Sequence, residues 1–200
     1  MNMKIIFATG NKGKINEIRN ILAGLDAEII PMKEAGVDID IEENGTTYEE
    51  NAIIKAKAVM EITGELTLAD DSGIEIDYLN KEPGIHSARY LGHDTSYDIK
   101  NADFLRRLEG VPDEKRTARF VCAIAAAFPD GRVETVRATF EGRIAHEIAG
   151  CNGFGFDPIF YLPDRGCTSA EITEEEKNEI SHRGKALRLM RDRLIELGVL

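Results

Sequence analysis

The sequence predicts an α/β fold built on a mixed sheet. In the first half, short apolar runs alternate with stretches of helical periodicity. Near the middle, the run RFVCAIAAAF meets Pro129-Asp130-Gly131 and a second long run follows, which is a hairpin signal. The balance of 42% hydrophobic to 30% charged residues is that of a globular chain. The alternation calls for parallel strands and the hairpin for antiparallel ones, so the sheet is mixed.

The elements follow in order. Lys4–Ala8 is apolar and reads as a buried strand, and Thr9–Lys14 as a loop. A helix then carries Ile15, Ile18, Leu22 and Leu25 on one stripe, with Gly24 near its stop. Ala27–Pro31 is a second strand, and residues 33–47 are irregular and acidic. Thr47 and Glu50 have capping-box spacing. The helix they open turns Ala52, Ile53, Ala56 and Met60 inward and ends at Gly64. Leu66–Asp70 reads as a short strand. Gly73–Leu79 reads as a separate, half-buried one, because Ile74, Ile76 and Tyr78 alternate with Glu75 and Asp77. A helix is expected from Ser96 to Leu108, stopped by Gly110. Thr117–Phe128 and Arg132–Ile144 form the hairpin, long enough to carry the sheet into a second lobe. Pro158–Leu162 is a further strand, and Thr173 caps an acidic turn. Ser181 starts a last helix, with Leu187, Met190, Leu194 and Leu197 inward. No repeat or linker interrupts residues 1–200, so a single domain is expected.

Charge narrows the function. The 36 acidic and 25 basic residues leave a formal charge of −11. That balance argues against general nucleic-acid binding and against docking on anionic lipid. An anionic ligand must therefore meet local basic groups or a bound cation. No apolar run approaches membrane-spanning length, and the N-terminal apolar stretch is too short for a signal peptide. Cys122, Cys151 and Cys167 form no C-x-x-C pair. A cytoplasmic location is the expectation.

Five segments could carry chemistry. Thr9-Gly10-Asn11-Lys12-Gly13-Lys14 joins a strand to a helix, where backbone N–H groups and the helix dipole favour phosphate. It is not a Walker A loop, and the alternative is an ordinary turn with solvated lysines. Asp70-Asp71-Ser72 follows an apolar strand. Adjacent carboxylates are costly without a cation, and Mg²⁺ takes one or two of them. The alternative is a capped turn with one solvated Asp. The acidic loop Ile41–Thr47 holds Glu42 and Glu43, either as a solvated stretch before a helix or as a second source of metal ligand. Phe154-Gly155-Phe156-Asp157 puts two aromatic residues beside glycines, either to stack on a base or to plug the core. Lys177 and Ser181-His182-Arg183 place positive charge around a helix start, where the dipole opposes it. His86, His93 and His146 have no metal-like spacing.

Each segment is a weak signal alone, but their order is informative. TGNKGK, E-x-x-G-x-T-[FY]-x-E-N-A, LADDSG, PGIHSARY, GFGFDPIF and EEKNEISHRGKAL run from Ile5 to Leu187. Together they resemble the inosine triphosphate pyrophosphatase family. The resemblance implies an elongated two-lobed α/β fold around a long central mixed sheet, with a nucleotide cleft between the lobes, and a homodimer. It implies hydrolysis of deaminated purine triphosphates (dITP, ITP, XTP) to monophosphate and pyrophosphate. By position, Thr9, Gly10, Asn11, Lys12, Gly13 and Lys14 would hold the triphosphate. Asp71 would be the catalytic carboxylate and, with Glu42, would bind Mg²⁺. Ser72, Phe154, Gly155, Phe156, Asp157, Lys177, His182 and Arg183 would contact substrate, the last residues around its base. Phe156 stands where many members carry Tyr, and His86 where an aromatic residue is common.

Overall fold

The structure, a computed structural model, describes residues 3–22 and 27–200, with Lys12 described by its backbone alone. Gly24, Leu25 and the Lys12 side chain, named above, lie outside the described residues. The strands are β1 (Met3–Phe7), β2 (Ala27–Pro31), β3 (Thr67–Ile76), β4 (Glu82–Pro83), β5 (Thr117–Ala127), β6 (Val133–Ile144), β7 (Phe160–Leu162) and β8 (Cys167–Thr168). The helices are α1 (Lys12–Ile21), α2 (Tyr48–Thr63), α3 (Tyr97–Arg107), α4 (Glu174–Ile180) and α5 (His182–Glu196). Hydrogen bonding joins the strands in the order β2-β1-β3-β5-β6-β7-β8, with β4 on β3. β1 pairs in parallel with β2 and β3, while β3/β4, β6/β7 and β7/β8 are antiparallel. The sheet is mixed, as the two sequence signals require.

The chain divides into two compact units: Met1–Asp71, Cys122–Ala138 and Arg183–Leu200 form one, Ser72–Val121 and Thr139–His182 the other. In the first unit, strand alternation feeds two separate cores. Ile5, Phe7, Leu68, Cys122, Ile124 and Ala126 pack with Ile18 of α1 and with Leu187, Met190 and Leu194 of α5. The intervening residues Ile6, Ala8, Ala69, Ala125 and Ala127 pack with Ala52, Ala56 and Val59 of α2. The second unit has one core, in which Ile74, Ile76, Phe104, Phe120, Phe156, Ile159 and Phe160 meet. Buried Arg116 donates there to the carbonyls of Leu108, Ile144 and Ala145 at 2.6–2.8 Å. Among the described residues no helix is long and apolar enough to cross a membrane.

Three local expectations are corrected. β3 is one strand of ten residues rather than two short ones, and Asp70 and Asp71 lie inside it. Only then does the chain turn, at Asp77–Leu79. Phe7 pairs with Leu68, so β3 runs on past the end of β1 and Asp70 stands level with the loop after it. The inward face of α2 is Tyr48, Asn51, Ala52, Lys55, Ala56 and Val59, rotated from the expected one because two polar residues share it. The acidic turn after Thr173 is the helix α4, closed by a complete capping box with Glu176.

Candidate active site

Alternation along β3 separates the two aspartates. Asp70 shares the face of Leu68 and points to α1 and α5, whereas Asp71 shares the face of Ala69 and points to α2. They are neighbours in sequence but not a like-charge pair in space.

Asp70 is 1% exposed and anchors a buried ionic cluster. Lys14 Nζ lies 2.9 Å from its Oδ2, and Arg183 Nε 3.3 Å from the same atom. Arg183 also pairs with Glu17 of α1. Burial alone would raise the Asp70 carboxyl, but Lys14, Arg183 and Lys55 hold it well below the usual range. Its Oδ1 is buried without a hydrogen-bond partner among the described residues. The same cluster borders Cys122, whose thiol burial pushes up to about 12. Such a thiol is no nucleophile.

Asp71 is held differently. Asn51 Nδ2 donates to its Oδ2 at 3.2 Å and Lys55 Nζ meets its Oδ1 at 3.4 Å. Lys55 Nζ also lies 3.3 Å from Glu43 Oε2. Two carboxylates thus flank one ammonium. Burial raises the Asp71 carboxyl above its ordinary value, Lys55 opposes this, and Glu43 adds to it. Burial lowers Lys55, but Asp71, Asp70 and Glu43 more than offset it, so the group is raised. The acidic loop therefore faces Asp71 through Glu43. Glu42, which the resemblance named, is exposed and makes no ion pair among the described residues.

The loop after β1 is shaped by its own sequence. Asn11 caps α1, its side chain accepting from Gly13 N and Lys14 N, and Thr9 Oγ1 accepts from Asn11 N at 3.2 Å. Capping leaves Lys14 one turn into α1, where its ammonium reaches Asp70.

The second unit gathers another part of the predicted set. Asp157 is 2% exposed. Its Oδ2 accepts from Lys177 Nζ at 2.6 Å and from Phe154 N at 2.9 Å, and its Oδ1 from Ser169 Oγ at 2.6 Å. One carboxylate thus closes the 153–157 turn and ties it to α4. Gly153 has φ +71°, and a Cβ there would lie 2.2 Å from Asp157 Oδ2, so only glycine fits. Lys177 Nζ stands 5.0 Å from the Phe154 ring centroid. The two rings of the segment part company. Phe154 is half-buried, while Phe156 is core, edge-on to Tyr97 and Phe104 at 5.1 and 5.6 Å. Gly155 O accepts from Asn101 Nδ2 at 3.2 Å. His182 is buried and stacks on Phe120 at 4.9 Å, and Ser72 is half-buried in β3.

Sequence reasoning passed over Asn51, Lys55, Glu17 and Ser169. The signal was present for the first two: polar residues four apart on the face of α2 that the apolar pattern turns inward.

The chain as a whole is similar to known proteins. The profile of the Ham1 family matches residues 5–193. A protein of Desulforamulus reducens named dITP/XTP pyrophosphatase is 48% identical over 186 residues, 93% of this chain and 92% of that one. The structure of a HAM1 protein from Coxiella burnetii superposes with a TM-score of 0.88 at 42% identity, covering 97% of this chain and 99% of that one. A nucleoside-triphosphatase / dITP/XTP pyrophosphatase structure from Mycobacterium abscessus gives 0.75 at 39% identity, with 94% and 98% covered.

Proposed function

The chain belongs to the Ham1 family, and from that premise we propose that it hydrolyses deaminated purine nucleoside triphosphates, dITP, ITP and XTP, to the monophosphate and pyrophosphate. The observation that carries this reading is Asp71, held by Asn51 and Lys55 and faced by Glu43, just past the end of β1. The reaction adds water at the α-phosphorus and breaks its bond to the oxygen bridging to the β-phosphorus. The nucleoside monophosphate and pyrophosphate leave.

The donor set suits Mg²⁺. Two carboxylates converge on Lys55, and among the described residues no cluster of three or more His, Cys, Asp or Glu offers a fuller cage. A hard cation that keeps its waters and completes its shell with substrate phosphate needs no more. Asp71 and Glu43 would hold it, in place of the expected pairing of Asp71 with Glu42. When bound, the ion supplies charge neutralisation on the phosphates and orients water.

The chain's own groups do the rest. Asp71, raised above an ordinary aspartate, is suited to accept a proton from the attacking water. The Thr9–Lys14 loop meets phosphate oxygens through the Lys14 ammonium and the N–H groups of Gly10 and Lys12, since those of Thr9, Asn11, Gly13 and Lys14 donate within the chain, so the attraction for an anion is local although the molecule carries −11. In the second unit, Phe154 offers a ring face to the base and Lys177 a donor to its 6-oxo group, which adenine lacks. A donor left unpaired against the wrong base is a strong discriminator. Ser72, Gly155, Asp157 and His182 shape those contacts, with Phe156 contributing from the core. Arg183, whose guanidinium lies on Glu17 and Asp70, we assign to charge compensation.

A substrate panel tests the reading: ITP, dITP, XTP, ATP, GTP and dTTP with Mg²⁺, assaying pyrophosphate and orthophosphate separately, with an EDTA control. Pyrophosphate from the first three alone, abolished by EDTA, is the expected result. Orthophosphate, or binding without turnover, would overturn it. Asp71→Asn should keep the fold and lose turnover by about 10²–10⁴-fold. We further propose a single cytoplasmic domain that works as a homodimer. Light scattering should then give twice the chain mass of 22.2 kDa.

A further inference from the structure

We propose that Asn51 is a positioning residue of the Asp71 centre, one buried amide fixing both the carboxylate and the acidic loop that faces it. The inference rests on the pyrophosphatase reading of Asp71. Asn51 has no exposed surface. Its Nδ2 donates to Asp71 Oδ2 at 3.2 Å, and its Oδ1 accepts from Gly45 N at 2.8 Å. The amide cannot be turned over: that would set Oδ1 against a carboxylate and NH₂ against an N–H. Each end therefore enforces the other.

The loop is pressed onto this amide. Glu50 accepts from Thr46 N at 2.6 Å and from Thr46 Oγ1 at 2.8 Å, and Thr47 Oγ1 accepts from Glu50 N at 3.1 Å. A Cβ at Gly45 would lie 2.7 Å from both Asn51 Oδ1 and Glu50 Cβ, so the backbone can approach only as glycine. Two residues before Gly45, Glu43 meets Lys55, one helical turn beyond Asn51. The two oxygens of Asp71 are thus held from successive turns of α2, and each holder also reaches the loop. An aspartate that must present one oxygen to water in a defined direction needs its rotamer locked in this way. Asn51 acts through Asp71 and Glu43, without touching substrate itself.

Two variants separate the halves of the amide. Asn51→Asp keeps the oxygen that accepts from Gly45 N but replaces the donor facing Asp71 with a second carboxylate oxygen. Gly45→Ala keeps the amide and displaces the loop. Each is assayed with dITP and Mg²⁺, normalised to the folded fraction. Binding of a dITP analogue with a methylene bridge between the α- and β-phosphorus is measured by calorimetry alongside. The expected result is a fall in kcat of about 10- to 100-fold, with KM and analogue affinity nearly unchanged. A kcat per folded molecule equal to wild type in Asn51→Asp would overturn the proposal. So would losses that only track a lower melting temperature and lost analogue binding, which mark a structural amide. If Asn51→Asp does not fold, Gly45→Ala decides alone, and full kcat there overturns the proposal. Wild type that releases no pyrophosphate from dITP overturns the pyrophosphatase reading itself, and this proposal with it. Active wild type beside an unaffected variant overturns only the role of Asn51.

Discussion

Adjacent residues on a strand face opposite ways, and that rule divides the work of Asp70 and Asp71. Asp70 turns toward α1 and α5, into a cluster with Lys14 and Arg183, while Asp71 turns toward Asn51 and Lys55. Arg183, fully buried, links Asp70 to Glu17. Removing one partner of a buried pair strands the others, and the stranded charge dominates the cost. Arg183→Leu should therefore lower unfolding stability in urea by about 3 kcal/mol, the lower end of such losses because Lys14 remains on Asp70. A change near zero, with a selective loss of ITP turnover, would instead return Arg183 to the base-reading role that the sequence resemblance suggested.

At the scale of the element, the short α4 carries Lys177 and depends on its ends. Seven residues barely sustain a helix, and the Thr173–Glu176 capping box satisfies donors at its start. Thr173→Ala should cost about 1 kcal/mol and raise KM for dITP, because Lys177 would lose its fixed place on Asp157. Thr173→Ser should restore both, and an unchanged KM in the Ala variant would detach Lys177 from binding. Most elements were legible in the sequence: the β5–β6 hairpin, the cap at Thr47, the helix from Ser96 and the apolar stripe of α5 are local patterns. β3 was misread as two strands because Asp70-Asp71-Ser72-Gly73 is turn chemistry by local preference. The burial of both aspartates against cations overrides it. The inward face of α2 differs from the apolar stripe because Asn51 and Lys55 are drawn onto it by Asp71, 20 and 16 residues away, and a count of apolar residues alone gives polar ones no weight.

For the molecule as a whole, the acidic residues of the centre already have internal cations. Asp70 has Lys14 and Arg183, and Asp71 and Glu43 share Lys55. The fold therefore does not depend on a metal, unlike domains whose ligands are uncompensated without one. EDTA should abolish turnover and leave the melting temperature of the nucleotide-free protein unchanged. A large drop on chelation would mean that a cation is a structural part of the first unit.

The sequence by itself determined the mixed α/β class, the order of the elements, the acidic balance and the run of motifs from TGNKGK to SHRGK. These follow from periodicity, turn chemistry and the types of residue, all of which are local in the chain. Only the tertiary structure decided that Glu43 shares Lys55 with Asp71, that Arg183 pairs with Asp70 and Glu17, that Phe156 is core while Phe154 is half-buried, and that Asn51 joins Asp71 to Gly45. Those outcomes depend on which strand face a side chain takes and on which helix packs over it. Register and packing set both, across separations as long as the 166 residues between Glu17 and Arg183.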